Sequence, residues 1–328
     1  MDRRTVLGGL PALASGAAAR AAQAQQDRFP SRTVRLVVPF APGGPTDVFA
    51  RRFADPFARA LGQTVVVDNK AGAGGMLGAQ EVARSRPDGY TLLFHASSSA
   101  VTSPLAYRRP LYDPVRDFSQ VAVLGVVPFV IAVGPQLPVR SLPELVAKIR
   151  ERPGAYSFGS SGVGTSNHLA GELFLTRAGG LRAEHVPYRG SGPAIQDLVA
   201  GTTAFMVDTY STLAGLYQER RLNILAVLHE RRLAAAPSIP TAAEQGVQGA
   251  EAGTFNALAG AAGTPPDIVA TLAGAVRRTV ADEAFRRELE RLSIEPVTES
   301  GPEHMLRFLE AEVAKWRPVI RATGVSIE

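Results

Sequence analysis

The chain has 328 residues, 45% of them hydrophobic and 20% charged, with 14 Phe, 7 Tyr and 1 Trp, a composition that excludes disordered and fibrous proteins. Cysteine is absent, so disulfides, thiolate metal sites, iron–sulfur clusters, thiol nucleophiles and lipid attachment through an N-terminal Cys are excluded together. The net charge of +5 comes almost wholly from Arg, because Lys occurs only at positions 70, 148 and 315, and these arginines are scattered among 30 acids, as on solvated faces and not as in a nucleic-acid footprint.

Residues 1–24 read as a cleaved export signal. Arg3 and Arg4 precede an apolar stretch from Val6 to Ala19 that is too short to span a bilayer, and Ala22-Gln23-Ala24 is a small-x-small cleavage site. The string DRRTVLGG is similar to a twin-arginine signal, with Asp2 and Val6 where Ser/Thr and Phe are usual. Losing Arg3, Arg4, Arg20 and Asp2 with the signal lowers the net charge from +5 to +3. No later apolar run approaches the roughly 18 residues of a membrane span, so the mature chain is expected outside the cytoplasm, soluble and unanchored.

Val34 to Val38, β-branched and Leu except for Arg35, reads as a strand buried on both faces of a parallel sheet. A Gly-Pro loop follows. Thr46 to Leu61 then places Phe49, Phe53, Phe57 and Leu61 at helical spacing, before Gly62 ends the helix and Thr64 to Asp68 forms a second strand. Met76 to Arg84 is expected to be helical and Tyr90 to Phe94 a third strand, leading into a run of serines. Further strands are expected at Val121 to Val127, Phe129 to Val133, Tyr156 to Gly159, Ala204 to Val207 and Ile224 to Leu228. Helices fall at Leu142 to Arg150, Ser166 to Ala178, Ala194 to Ala200 and Thr209 to Tyr217, with three more near the C-terminus. Strand alternating with helix predicts an α/β protein whose helices flank mostly parallel sheets, with ligands held outside the carboxyl ends of the strands.

Three strand ends carry unusual loops: Phe40 to Asp47, Ala96 to Ser99, and Gly159 to His168. The first and third run straight into helices, with Thr46, Thr165 and Ser166 where a capping hydroxyl belongs. Each loop alone reads as an ordinary capped helix start. Two of them facing one cleft would converge free N–H groups and positive helix ends on an anion, without need of Lys or Arg.

Standard catalytic patterns are missing. There is no G-x-x-x-x-G-K, no G-x-S-x-G, and Leu77 stands where a dinucleotide fingerprint after Gly72-Ala73-Gly74 requires Gly. The histidines at 95, 168, 185, 229 and 304 lack close metal-ligand spacing. No cofactor or metal is expected. A secreted hydrolase or isomerase using Ser161, His168 or His185, and Asp208 is the competing class, although His168 early in a helix reads better as a capping or packing residue.

The strings VRLVVPFAPGGPTD, RPDGYTLLF, YDPVRDF, SFGSSGVGTSNHLAGELF, HVPYRGSGPAIQDLVAG and IPTAAEQG resemble, in order and spacing over nearly the whole mature chain, the Bug family of tripartite tricarboxylate transporter solute-binding proteins. The resemblance implies a periplasmic, cofactor-free, two-lobed binding protein, a monomer that closes on a small carboxylate. The ligand would be a dicarboxylate, an amino acid or an aromatic acid, delivered to membrane permease subunits or read by a sensor. Lobe 1 would comprise 25–128 plus 253–328, and lobe 2 would comprise 129–252. Carried over, the first-lobe carboxylate loop is Gly43, Gly44, Thr46 and Asp47, with Phe40 beside it and Asp47 ordering the loop. Ser97 and Ser98 form the third loop, Gly164, Thr165, Ser166 and His168 the second-lobe loop, and Asp208 an acidic position facing the cleft or capping the next helix. His95-Ala96-Ser97-Ser98 and Thr209 depart from the family's usual residues, and both bear on ligand identity.

Overall fold

A computed structural model describes residues 29–327, so the expected export segment, 1–24, lies outside the described residues. The chain opens with strand β1 (Val34–Val38), helix α1 (Pro45–Leu61), β2 (Val65–Asn69), α2 (Met76–Ala83) and β3 (Thr91–Ala96). The first helix forms because Phe49, Phe53 and Phe57 recur every four residues, and this face is buried against Leu36 of β1 and Phe94 of β3. A π-helical turn, Ser98–Thr102, runs into the short α3 (Ser103–Ala106).

The chain then crosses to a second sheet along β4 (Phe118–Val133), where two separate strands were expected. Pro128 lies within it without breaking it. Its last partner in the first sheet is Gly253, and from Phe129 onward the strand pairs instead with β7 and β8, so the missing N–H falls where one ladder gives way to the next. The second unit continues with α4 (Leu142–Glu151), β5 (Ser157–Ser160), α5 (Ser166–Arg177), β6 (Glu184–Pro187), α6 (Ser191–Ala200), β7 (Phe205–Thr209), α7 (Tyr210–Gln218) and β8 (Asn223–Leu228). Strand β9 (Gly253–Ala261) returns to the first sheet. Helices α8 (Pro266–Ala281) and α9 (Glu283–Arg291), the two-residue β10 (Glu295–Pro296) and α10 (Pro302–Thr323) complete the order.

The strand order is β2-β1-β3-β9-β4-β7-β5-β6, with β8 and β10 also on β4. The β1–β2, β1–β3, β5–β6 and β5–β7 pairs are parallel, as the strand–helix alternation requires. Both sheets are nonetheless mixed, because the crossing strands β4 and β9 run antiparallel to their neighbours. That follows from their job: a strand that carries the chain between two sheets is not the product of a strand–helix–strand repeat.

The cores are not independent. Trp316 and Leu309 of α10, with Ala100 and Val101 of the π-helical turn, belong to the same buried cluster as Phe158, Leu169 and Phe174 of the second sheet and α5. The C-terminal helix thus braces both units. Among the described residues no helix is long and apolar enough to cross a membrane.

Candidate functional site

Between the two sheets lies a narrow polar cavity of about 30 Å³. Phe40, Gly44 and Thr46 line it from the β1–α1 junction, and Ser98 from the end of β3. Ser161, Ser166 and Asn167 come from the β5–α5 junction, Ser191 from the start of α6 and Asp208 from the end of β7, with Phe129 and Thr254 of the crossing strands forming the floor. No Lys or Arg lines it.

Three helix starts, those of α1, α5 and α6, therefore border one space. The cap of α1 is Gly44 and not Thr46, because Pro45, whose fixed φ and absent N–H suit the first helical position, begins the helix one residue early. Thr46 sits inside the first turn, and the N–H groups of Thr46 and Asp47 have no helical acceptor, as at any helix start. Asp47 holds the loop from behind. Its carboxylate accepts from Gly43 N–H at 2.9 Å, Asn69 Nδ2 at 2.8 Å and Arg51 Nε at 3.0 Å. Burial alone would raise this carboxyl, but the bonds from Arg51, Gly43 and Asn69 outweigh it and hold the group below its ordinary value.

Thr165 is the cap of α5, yet its hydroxyl caps nothing. It lies 2.6 Å from the Gly162 carbonyl and 2.8 Å from Asn167 Oδ1, both acceptors, so its proton is turned away from the helix. The first N–H of α5, on Ser166, donates across the cleft to Ser98 Oγ at 3.0 Å, and the two serine hydroxyls are themselves 3.0 Å apart. A hydroxyl oxygen from one sheet thus already occupies an anion-seeking helix end of the other.

Asp208 is 1% exposed and organises the opposite wall. Its Oδ1 accepts from Thr209 N–H at 2.7 Å and Thr212 Oγ1 at 3.2 Å, its Oδ2 from Ser191 Oγ and, at 3.4 Å, from Asn167 Nδ2. Burial pushes its carboxyl up, and the bonds from Ser191, Thr209, Thr212 and Asn167 pull back only part of the way. An ionised carboxylate only accepts, so Ser191 must donate to it; Ser161 Oγ, 2.8 Å from Ser191 Oγ and already accepting from Asn167 Nδ2 at 3.0 Å, must in turn donate to Ser191. Both serine protons point toward Asp208. The cavity consequently has a donor side at the helix starts and an acceptor side at Ser161 and Ser191.

The expected site residues divide accordingly. Phe40, Gly44, Thr46, Ser98, Ser166 and Asp208 line the cavity, whereas Gly43, Asp47, Ser97, Gly164, Thr165 and His168 stand behind the lining. Ser97 Oγ pairs with Thr254 Oγ1 at 2.9 Å. His168 Nδ1 accepts from Gly164 N–H at 3.1 Å, which locks the loop onto its helix, and its ring stacks on His185 at 3.7 Å. His185 pairs with Ser160 at 2.6 Å and not with Ser161 or Asp208, so the imagined nucleophile and bases are not assembled. Burial, with His168 alongside, lowers His185 to about 3.

Asn167, Ser191, Phe129 and Thr254 were missed in the sequence. Of these only Ser191 carried a readable signal: Gly190-Ser191-Gly192-Pro193 is another helix start.

His95, on the strand that leads to Ser98, is 1% exposed, lies 3.3 Å from Ser99 Oγ and is lowered by burial to about 3 from 6.5. Its folded value is below its unfolded one, so the unfolded chain binds the extra proton between them and stability falls as pH drops below about 6.5. One such group contributes a slope of about 1.4 kcal/mol per pH unit. Urea unfolding between about pH 7 and pH 5 is expected to show a flatter slope for His95→Asn than for the parent; equal slopes would place the titration elsewhere.

Residues 49–325 match the family model described as tripartite tricarboxylate transporter family receptor. The solved periplasmic binding protein BugD is 31% identical, with a TM-score of 0.87 over 92% of this chain and 100% of its own. Rpa4515 of R. palustris, solved with adipate, is 35% identical, with a TM-score of 0.88 over 91% of this chain and 99% of its own. MatC of Rhodopseudomonas palustris, with bound malate, is 31% identical, with a TM-score of 0.84 over 89% of this chain and 100% of its own.

Proposed function

The chain belongs to the Bug, or TctC, family of tripartite tricarboxylate transporter receptors, which are solute-binding proteins, and we propose that it captures a small dicarboxylate in the periplasm and presents it, unchanged, to permease subunits. The observation that carries the proposal is the cavity itself: three helix starts around one buried polar space without a cation. One carboxylate of the solute takes the place held by the Ser98 hydroxyl against Ser166 N–H, with Gly44, Thr46 and Ser98 on its other side. The acceptor side at Ser161 and Ser191 receives a hydroxyl or ammonium on the neighbouring carbon, where the solute has one. The adipate and malate held by the two relatives set the chemical class.

Removing a carboxylate from water costs several kcal/mol, whereas each charge-assisted hydrogen bond returns about 1.5–3 and a helix start about 0.3–2. Four or five donors offset that cost without Lys or Arg. A wall of neutral donors also leaves the site free of the counter-charge that would have to be desolvated in the empty protein.

We assign the lobes as 25–128 plus 253–328 and 129–252. The change of partner along β4 after Pro128, opposite Gly253, supports this division. The cavity lies between the lobes, so solute enters by their separation, and the monomer is sufficient for capture. No turnover is expected, since Ser161 is bonded to Ser191 and Asn167, while His185 is bonded to Ser160.

The test is thermal-shift and calorimetric screening of the mature chain against succinate, malate, adipate and their monocarboxylate analogues. At about 100 times Kd the solute stabilises the fold by about 2.7 kcal/mol. Ligand recovered unchanged after long incubation is part of the expected result. Absence of a shift with every acid would overturn the proposal.

A further inference from the structure

The inner cavity, about 30 Å³, is where the proposed carboxylate head sits. Beside it lies a chamber of about 590 Å³, and Phe40 and Ser161 line both. Its walls are Leu77, Tyr107 and Ile327 on the side of the first sheet, and Val163, Tyr188 and Arg189 on the side of the second, with the Gly72–Gly75 turn along one edge.

Two features set this chamber apart from an ordinary surface cleft. Leu77 and Val163 are 50% and 38% exposed, among the few large apolar side chains that the fold leaves uncovered, and both face the same space. Arg189 is exposed, and among the described residues it makes no hydrogen bond or ion pair, unlike Arg35, Arg51, Arg116 and Arg232, each of which is paired with a carboxylate. A chamber that shares Phe40 and Ser161 with the inner cavity, exposes apolar side chains and carries an unpaired guanidinium matches one ligand shape: an anionic head, a methylene or aryl middle, and a second anionic end.

We propose that the chamber is the subsite for the distal half of an elongated dicarboxylate, with Leu77 and Val163 flanking the chain and Arg189 receiving the far carboxylate. The inference rests on the proposed capture of a carboxylate head in the inner cavity, and it adds the length of the solute. Head recognition then sets whether an acid binds, and the chamber sets which chain length binds best. Because Arg189 is exposed, its contribution is screened, and a dicarboxylate that is too short to reach it gains nothing from it.

Calorimetry of the mature chain with adipate and with hexanoate, which share a length and differ in the far charge, tests this. The parent is expected to prefer adipate by about three- to fivefold, as one partly screened charge pair allows, and the preference is expected to collapse in Arg189→Gln and to shrink with added salt. Leu77→Ser is expected to weaken both six-carbon acids while leaving succinate closer to its parent affinity. Equal affinity of the parent for adipate and hexanoate, an unaltered preference in Arg189→Gln, or binding of succinate and malate but not of adipate would each overturn the chamber assignment while leaving the inner site standing. Failure of every acid, short or long, would remove both.

Discussion

Gly164→Ala is expected to weaken solute binding by roughly five- to a hundredfold, the equivalent of about 1–3 kcal/mol of overpacking, while the chain stays folded. Gly164 has φ +74°, and a Cβ on it would stand 2.8 Å from Ala106 Cβ and 3.1 Å from Ile327 Cδ1. Those two atoms belong to the opposite lobe of the proposed division, and a methyl carbon on a short helix cannot swing away as a long side chain can. The left-handed φ adds about 1–2 kcal/mol of strain, but it does so in the open and closed forms alike, so it lowers stability and not affinity. With the lobes parting as proposed, the clash is confined to the closed form. Gly43→Ala separates the two costs, because Gly43 has φ +83° with nothing within 4 Å of the added carbon, and it should lose stability with little change in Kd. Calorimetry with urea unfolding on both variants reads the two quantities. Equal affinity losses at the two positions would show that Gly164 acts through its loop and not through the contact between lobes.

The parts of this arrangement that were legible in the sequence are those with local causes. The α1 helix could be read because Phe49, Phe53 and Phe57 repeat at helical spacing, and β1 because its apolar run is nearly continuous. The loops after β1, β3 and β5 stood out through Gly, Pro and Ser content, and the cavity does sit at these loops. Strand β9 escaped notice because Gly253–Ala261 is rich in Ala and Gly and poor in β-branched residues; it is a strand through its pairing with β3 and β4, which no local pattern records. The same limit hid the roles of side chains within the loops. Thr165 and His168 look in sequence like groups presented to a ligand, yet one hydroxyl is spent on Gly162 and Asn167 and one imidazole on Gly164 N–H. Ser191 lies 30 residues from Ser161 in the chain and 2.8 Å from it in space. A contact of that range is fixed by topology, and Asn167 and Ser191 join the site only once β5, β7 and α6 are brought side by side.

Asp208→Asn is expected to invert part of the ligand preference. The amide oxygen keeps the bonds from Thr209 N–H and the Thr212 hydroxyl, but the new NH₂ faces Ser191, which then has to accept instead of donate. Its proton is released toward Ser161 or the cavity, and the acceptor side becomes a donor side. Asn167 Nδ2 keeps its 3.0 Å bond to Ser161 Oγ but its second N–H, 3.4 Å from position 208, is left facing another donor, so the variant should lose about 1 kcal/mol of stability. Removing a buried carboxylate also lightens the repulsion felt by a second anion entering the cavity. Malate, whose hydroxyl needs an acceptor, should therefore weaken by about tenfold or more, and succinate, which has none, should hold or improve. The readout is the malate-to-succinate ratio of Kd in the parent and the variant, which a merely loosened fold would leave where it was. A parallel loss of both acids would reduce Asp208 to a brace for β7 and α7 and remove it from recognition.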